Sequence, residues 1–296
     1  MTDSNEYLAT TEWLASHLDD PNLRVLECTV FLRPRDDGKP GYKAIPATAE
    51  FAEGHIPGAV YADLTNDLSD RSQSLRFMMP PAGQFAEAMG RYGVGDDSEV
   101  ILYDREGNMW GARIWWMLRA FGFDNARVLD GGWKAWQAEG RPVSTGAPRP
   151  APATFTPRER PGLIASKEDV LAALSSGQGC IVNALNAAQH RGDVAPYGRP
   201  GHISGSVNVP AMGSAGIVDP ATQKYLPVEE IRARFEDAGA RPGERMITYC
   251  GGGIAASSAA FAAMMAGYSN IAVYDASLSE WAADSLLPME SEPRTT

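Results

Sequence analysis

Short runs of apolar, β-favouring residues alternate along this chain with longer stretches of helix-forming residues. The short runs predict strands at 23–28, 99–104, 126–129, 180–185, 246–249 and 268–275. The longer stretches predict helices at 12–18, 83–92, 112–121, 167–174, 227–238 and 257–267, with a polar loop at 33–48. Strands that alternate with helices indicate parallel sheets covered on both faces. The pattern therefore predicts an α/β fold.

The same order of elements occurs twice along the chain. The segment Gly54–Val60, with its His-Ile-Pro-Gly-Ala run, is matched by Gly201–Val207, and Trp136 is matched by Trp281. Between the two copies, six prolines fall between positions 141 and 161 and indicate an extended connector. The 296 residues are thus predicted to form an N-terminal domain at 1–140, a Pro-rich linker at 141–163 and a C-terminal domain at 164–296.

The strongest candidate for chemistry is Cys250, which ends an apolar run and is followed by three glycines. The order predicts a strand, a tight loop and a helix, with the thiol where the strand becomes the loop. Glycines let backbone N–H groups turn inward, and such a ring beside a helix N-terminus binds anions. A thiol placed there loses its proton more readily than a free cysteine, because the ring stabilises the thiolate.

A simpler interpretation makes Cys250 a buried core thiol and the glycines a turn. Glycine costs chain entropy and buries nothing, so a run of three that opens a helix favours the functional interpretation. In the alignment of the two copies, Asp104 takes the place of Cys250, and the loop after it lacks the glycine run. We therefore expect the C-terminal copy to react and the N-terminal copy to shape the cleft, with Met109 and Trp110 lining it.

Composition and charge narrow the classes of partner. The formal charge of −11 argues against nucleic acid or an anionic membrane surface. Three cysteines form neither a disulfide framework nor a metal-ligand spacing, and Cys28 and Cys180 are expected in the core. The polar N-terminus shows no signal-peptide pattern and no apolar stretch is long enough to span a bilayer, so a reducing, cytoplasmic setting is predicted.

Taken together, these motifs resemble the rhodanese family of tandem-domain sulfurtransferases. The specific marks are the two His segments, the six-residue loop that begins at Cys250, and the run from Asp275 to Trp281. The resemblance covers about residues 8–288 and implies two tandem rhodanese-like domains, each a mainly parallel sheet with helices on both faces. An aspartate in place of the cysteine in the first domain is also usual for this family.

The resemblance implies that Cys250 takes a sulfane sulfur from thiosulfate, forms a persulfide, and passes the outer sulfur to a thiophilic acceptor, cyanide or a thiol. It implies neither a metal nor an organic cofactor. The persulfide is expected within reach of the loop N–H groups, which belong to Gly251, Gly252, Gly253, Ile254, Ala255 and Ala256.

The donor is less closely defined by the loop. Mercaptopyruvate-type enzymes of this family usually have serine at the third loop position, where Gly252 stands here, and use it with a histidine that matches His55. Mercaptopyruvate is therefore the alternative donor to thiosulfate. For recognition of the anionic donor, the resemblance indicates Arg199, with Arg191 second, while Gln189 occupies a position where an arginine is expected.

Other functions and roles stay open at this point. A cysteine phosphatase would need a longer loop closed by an arginine, where Ala256 and Ser257 stand, which argues against that activity. A carrier that holds a persulfide for a partner protein is a further alternative. His55 and His202 each enter a strand at a turn, and the repetition favours a structural role for His202. A catalytic role for His55, facing the loop of the other domain, stays a minor alternative.

Overall fold

The computed structural model describes residues 6–38 and 41–292. The strands are β1 (Leu8–Ala9), β2 (Leu23–Glu27), β3 (Val30–Pro34), β4 (Tyr42–Pro46), β5 (Val60–Tyr61), β6 (Glu99–Tyr103), β7 (Ala126–Leu129), β8 (Ile164–Ala165), β9 (Cys180–Asn183), β10 (His202–Ile203), β11 (Val207–Asn208), β12 (Met246–Tyr249), β13 (Ile271–Tyr274) and β14 (Met289–Glu290). The helices are α1 (Thr11–His17), α2 (Thr48–Glu53), α3 (Ala82–Arg91), α4 (Met109–Ala120), α5 (Gly132–Ala138), α6 (Lys167–Ser176), α7 (Ala187–Arg191), α8 (Val228–Asp237), α9 (Ile254–Met265) and α10 (Ser277–Trp281).

Two five-stranded parallel sheets organise the chain. The first has the order β1-β7-β6-β2-β5, and the second has the order β11-β9-β12-β13-β8. Every residue of β12 and β13 is buried, as in parallel strands covered on both faces. The α/β prediction is confirmed, and the two sheets repeat one topology in the N-terminal half and the C-terminal half. The proposed domain limits at 140 and 164 stay predictions.

The polar segment 33–48 differs from its prediction, because it holds most of a hairpin. Strand β3 pairs antiparallel with β4, with Phe31 opposite Ile45 and Pro34 opposite Tyr42. Pro34 and Pro46 lie at strand ends, where a missing N–H costs little, so proline content did not exclude strands. The hairpin forms one wall of the cavity described below.

Helix starts were also predicted too late. Helix α9 begins at Ile254 and α4 at Met109, directly after a residue in the left-handed region: Gly253 with φ +79° and Asn108 with φ +66°. One such residue turns the chain from loop to helix without a spacer. The earlier start brings the first helical N–H groups of α9 close to Cys250.

The two halves share one hydrophobic core. Helix α4 of the N-terminal half packs along α9 of the C-terminal half, and the Trp115 ring meets Phe261 edge to face with centroids 4.9 Å apart. The tryptophans Trp110, Trp116, Trp136 and Trp281 are fully buried. Within the described ranges, no helix is long and apolar enough to cross a membrane.

The Pro-rich connector is docked on the N-terminal half. Ala153 N–H donates to Gly90 O (3.0 Å), and Arg158 N–H donates to Phe121 O (2.7 Å). Phe155 is buried and lies 5.5 Å, centroid to centroid, from Phe85. The connector is therefore an extended strap fixed by main-chain hydrogen bonds.

A stacked pair of histidines joins α7 to β10. The His190 and His202 rings are 3.8 Å apart at 14°, and His202 Nδ1 lies 2.8 Å from His190 O. Asn183 Nδ2 lies 3.1 Å from His190 Nδ1. Burial lowers the pKa of the His190 imidazole from 6.5 to about 4, with smaller contributions from His202 and Arg191. The neutral form of His190 is thus the one that fits the fold.

His190 makes the free energy of unfolding depend on pH. Between about pH 6.5 and 4 the unfolded chain binds this proton and the folded chain does not, so stability falls as the pH is lowered through that window. We expect His190→Phe to reduce the loss of unfolding free energy between pH 7 and pH 4.5 by about 2–3 kcal/mol. Urea unfolding at both pH values measures this, with His17→Phe as the control. The prediction would be contradicted if wild type and His190→Phe lost the same unfolding free energy between pH 7 and pH 4.5.

Candidate active site

Cys250 lies at the inner end of a cavity between the two halves. It follows β12, precedes α9 and is 3% exposed. The cavity has a volume of about 680 Å³. Its C-terminal wall includes Leu185, Asn186, Gln189, Tyr197, Met212, Cys250, Gly251, Gly252, Ile254, Ala255 and Ser279, and its N-terminal wall includes Leu32, Arg35, Tyr42, Leu75, Arg76, Phe77, Met109 and Trp110. The sequence prediction that Met109 and Trp110 line the cleft is confirmed.

Two of the three loop glycines are required by close contacts. A Cβ at Gly251 would lie 1.9 Å from Tyr197 Cζ, because the phenol ring packs directly on the loop backbone. A Cβ at Gly253 would lie 2.9 Å from Asp275 Oδ1, and the φ of +79° there also favours glycine. Gly252 is different, since its nearest neighbour, Ser279 Oγ, is 3.8 Å from the Cβ position. A side chain at 252 has room beside the cavity.

The turn after Asp275 holds the loop in place. Ser277 Oγ accepts from Cys250 N–H (3.0 Å) and from Gly253 N–H (3.3 Å). Leu278 N–H donates to Cys250 O (3.1 Å), while Ser279 donates its N–H and its hydroxyl to Gly251 O (2.9 and 2.6 Å). Ser277 itself has φ +51°, a strained value for a residue with a Cβ. The resemblance had marked this segment, and the structure shows that it fixes the loop.

Several N–H groups around Cys250 have no acceptor. Those of Gly251, Gly252, Ile254, Ala255 and Ala256 find none among the described residues, whereas Ser257 N–H begins the helical bonding to Gly253 O. Together with the positive end of the α9 dipole, these donors suit an anion at this end of the cavity.

The matching loop of the N-terminal half shows such donors in use. The Asp104 carboxylate accepts four backbone N–H bonds, two at Oδ1 from Glu106 and Asn108 (2.8 and 2.9 Å) and two at Oδ2 from Trp110 and Gly111 (2.8 and 2.9 Å). Burial raises the pKa of this carboxyl, and the four N–H contacts act in the opposite direction. The loop and first helical turn after a strand in this fold therefore hold a fully buried anionic group.

Arg199 has a different place from the one predicted. Its guanidinium donates to four carbonyl oxygens, those of Trp281, Ala282, Asp284 and Leu287, at 2.6 to 3.2 Å. It is not among the residues that line the cavity. The prediction that Arg199 recognises the anion is therefore corrected: these bonds fix the segment after α10.

The prediction that Arg191 also recognises the anion is corrected for a similar reason. Its guanidinium pairs with Asp193 (2.7 Å) on the surface and does not line the cavity. The cations at the cavity are Arg35 and Arg76 of the N-terminal half, which sequence reasoning missed. Arg35 pairs with Asp37 (2.6 Å), while the exposed Arg76 donates to Tyr42 O. No Asp or Glu lines the cavity within the described residues.

The tyrosine at the loop was missed as well. Tyr197 packs on Gly251, and Tyr42 of the hairpin lies 6.3 Å from it, centroid to centroid. Burial, and to a smaller extent the Cys250 sulfur, raises the pKa of the Tyr197 phenol, which therefore keeps its proton at neutral pH. The only sequence signal was an aromatic residue between Pro196 and Gly198 in a polar stretch.

His55 and His202 both lie outside the cavity. His55 is 1% exposed, stacks on Phe51 and has Nδ1 2.8 Å from Phe51 O. His202 is bonded to His190 O, as described above. Among the described residues, no group of three or more His, Cys, Asp or Glu side chains is placed to hold a metal ion.

Comparisons with known proteins agree with this geometry. The rhodanese-like domain family matches residues 10–139 and 167–284. The 3-mercaptopyruvate sulfurtransferase of Escherichia coli K12 is 33% identical over 97% of this chain and 99% of its own length. The thiosulfate sulfurtransferase of Rattus norvegicus is 33% identical over 93% of this chain and 91% of its own.

Solved structures show the same fold. The crystal structure of a 3-mercaptopyruvate sulfotransferase from Escherichia coli matches with a TM-score of 0.81 and 30% identity, over 92% of this chain and 98% of that one. The Tum1 protein from Saccharomyces cerevisiae matches with a TM-score of 0.81 and 22% identity, over 97% and 98%.

The contact between Tyr197 and the loop yields a test of the geometry. We expect Gly251→Ala to lower the free energy of unfolding by about 1–3 kcal/mol, because the new methyl group displaces the Tyr197 ring. Gly252→Ala is the matched control and should change it by less than about 0.5 kcal/mol. Adding Tyr197→Ala should remove most of the Gly251→Ala penalty in a double-mutant cycle measured by urea unfolding. Additive penalties would show that the ring does not press on the loop.

Proposed function

This chain belongs to the rhodanese family and is a sulfurtransferase with two rhodanese-like domains, and we propose that Cys250 carries the transferred sulfur as a persulfide. The observation that carries the proposal is the set of N–H groups beside Cys250 that have no acceptor among the described residues, in a loop whose N-terminal counterpart binds a carboxylate with four N–H donors.

The proposed reaction has two steps. The Cys250 thiolate attacks the outer, sulfane sulfur of thiosulfate, the S–S bond of the donor breaks, and sulfite leaves with the electron pair. The acceptor nucleophile, cyanide or a thiolate, then attacks the outer sulfur of the persulfide. The bond to Cys250 Sγ breaks, the thiolate is regenerated, and thiocyanate or a new persulfide departs.

The N–H groups support both steps in the same way. The first step moves negative charge onto the outer sulfur of Cys250, and the second needs the charge to return to Sγ. Donors to a charged acceptor contribute about 1.5–3 kcal/mol each. Those of Gly252, Ile254 and Ala255 have no competing acceptor among the described residues, so they are available to whichever sulfur carries the charge.

Thiosulfate is the donor we propose, and mercaptopyruvate is the second candidate. Gly252 offers no hydroxyl, and His55 lies outside the cavity, so the serine–histidine arrangement of the mercaptopyruvate type is not assembled here. The second candidate is favoured by relatives named 3-mercaptopyruvate sulfurtransferase, of which the human protein is 34% identical over 93% of this chain. A carrier that delivers the persulfide sulfur to a partner protein is the alternative function, and a cytoplasmic location is a further part of the proposal.

Replacement of the nucleophile tests the proposal. We expect Cys250→Ser to lower thiocyanate formation from thiosulfate and cyanide by at least about 10³-fold, because the oxygen cannot carry the sulfur. Mass spectrometry of wild type after thiosulfate should show one added sulfur on Cys250, which Cys28→Ala and Cys180→Ala retain. Full activity of Cys250→Ser would refute the proposal, and persulfide formation without turnover would favour the carrier function.

Variants at two arginines test donor recognition and stability separately. Arg76→Ala should raise KM for thiosulfate about two- to fivefold, because the ion pair between an exposed arginine and the bound anion is worth up to about 1 kcal/mol. The unfolding free energy should change little. Arg199→Ala should leave KM unchanged and lower the unfolding free energy by about 2–4 kcal/mol, because four carbonyl oxygens lose a charged donor. Steady-state kinetics and urea unfolding of both variants decide this; the reverse pattern would restore Arg199 as the recognition residue.

A further inference from the structure

One buried guanidinium joins the two halves directly behind the active-site loop. Arg113, on α4 of the N-terminal half, is fully buried. Its Nη2 donates to Phe77 O (2.6 Å), and its Nη1 lies 2.6 Å from Asp275 Oδ1 at the end of β13. Phe77 is part of the N-terminal wall of the cavity, whereas Asp275 belongs to the C-terminal half. The side chain therefore connects both walls.

The aspartate of this pair makes a second connection between the halves. Asp275 Oδ2 accepts from Met79 N–H (2.7 Å), two residues beyond Phe77. Phe77 has φ +63°, a strained value for an aromatic residue, so its carbonyl direction depends on the contact with Arg113. Together the two contacts fix the backbone of 77–79 against the C-terminal half.

The pair also touches the loop itself. A Cβ at Gly253 would lie 2.9 Å from Asp275 Oδ1 and 3.1 Å from Arg113 Nη1. Asp275 begins the turn whose Ser277 and Ser279 hold Cys250 and Gly251. A shift of the Asp275 carboxylate would therefore move Gly253 and the turn that holds Cys250.

We propose that the Arg113–Asp275 pair is a positioning device for the Cys250 loop, by which the half without a nucleophile sets the geometry of the half that has one. The proposal rests on the proposed function, since it concerns the same thiol. Neither side chain lines the cavity, so the two residues act through the loop and the 77–79 segment and do not touch the substrate.

The chemistry of arginine explains why this position needs that residue. A guanidinium carries its nitrogens in one rigid plane, so the same group donates to Phe77 O and lies in ion-pair contact with Asp275 Oδ1, whereas a lysine ammonium is a single point charge on a flexible stem. We expect Arg113→Lys to preserve most of the stability but to loosen the loop. Arg113→Met leaves the Asp275 charge buried without its partner and is strongly destabilising. The double variant Arg113→Met/Asp275→Asn removes that buried charge and should recover much of the stability.

The experiment compares these variants at a temperature where circular dichroism shows each to be folded. The rate of Cys250 persulfide formation in a single turnover with thiosulfate, kcat, KM and the rate of Cys250 alkylation by iodoacetamide are measured. We expect kcat to fall at least about tenfold in Arg113→Met and in the double variant, with KM changed less than about threefold, because a misplaced nucleophile slows chemistry more than binding. Arg113→Lys should fall between these and wild type.

A matched control lies in the N-terminal half. Arg105 and Glu27 also form a buried ion pair (2.5 Å), away from the cavity. Glu27→Gln should destabilise the protein and leave kcat within about twofold of wild type. Loss of activity in Glu27→Gln equal to that in Arg113→Met would mean that activity follows stability, and it would overturn the proposal.

Two further outcomes separate this proposal from the function it rests on. Recovery of kcat to within about twofold of wild type in the double variant would reduce the pair to a structural role. If wild type transfers no sulfur from any donor, the proposed function fails, and alkylation still decides the positioning role. An alkylation rate in Arg113→Lys and the double variant equal to that of wild type would then overturn it, and a change of about threefold or more, absent in Glu27→Gln, would support it.

Discussion

Backbone N–H groups at the start of a helix need an acceptor, and the two halves of this chain meet that need differently. In the N-terminal half, Asp104 fills the ring of donors with its own carboxylate, which is fully buried and accepts four of them. In the C-terminal half, Cys250 stands at the matching strand end, and five N–H groups of the loop and the first turn of α9 have no protein acceptor among the described residues. One fold thus provides a closed site and an open one.

The closed site explains what the N-terminal half contributes. Because the Asp104 carboxylate already accepts the N–H groups of its loop, no further anion can bind there. The residues next to it contribute to the site in another way. Trp110 accordingly lines the cavity that holds Cys250, and Arg113 on the same helix reaches Asp275. A continuous core between α4 and α9 keeps these contributions in register, since separating the halves would expose large aromatic side chains.

The sequence predicted what depends on local pattern. The strand, the glycine loop and the helix around Cys250, the repeat, and the α/β fold all follow from residues close together in the chain. Contacts between distant residues were not predictable in this way. Met79 and Asp275 are 196 positions apart, and the Arg199 acceptors lie 82 to 88 positions from it. The sequence around an arginine in a polar stretch does not show whether it binds a substrate or donates to four carbonyl oxygens, because the fold determines which acceptors lie near it. The hairpin β3–β4 was missed for a related reason: its polar residues indicated a loop, and only the pairing of β3 with β4 makes them strands.

Charge places a final constraint on how an anionic donor reaches Cys250. The chain carries a net charge of −11, so the average field around it repels an anion such as the proposed donor. The cavity counters this locally, because no carboxylate lines it among the described residues while Arg35 and Arg76 do. Arg35 is already paired with Asp37, which leaves Arg76 as the stronger attraction at the mouth, with the N–H groups of the loop at the inner end. An anion therefore meets an exposed cation first and uncharged main-chain donors last. That order favours release as well as capture, because neutral N–H groups hold sulfite less tightly than a buried arginine would.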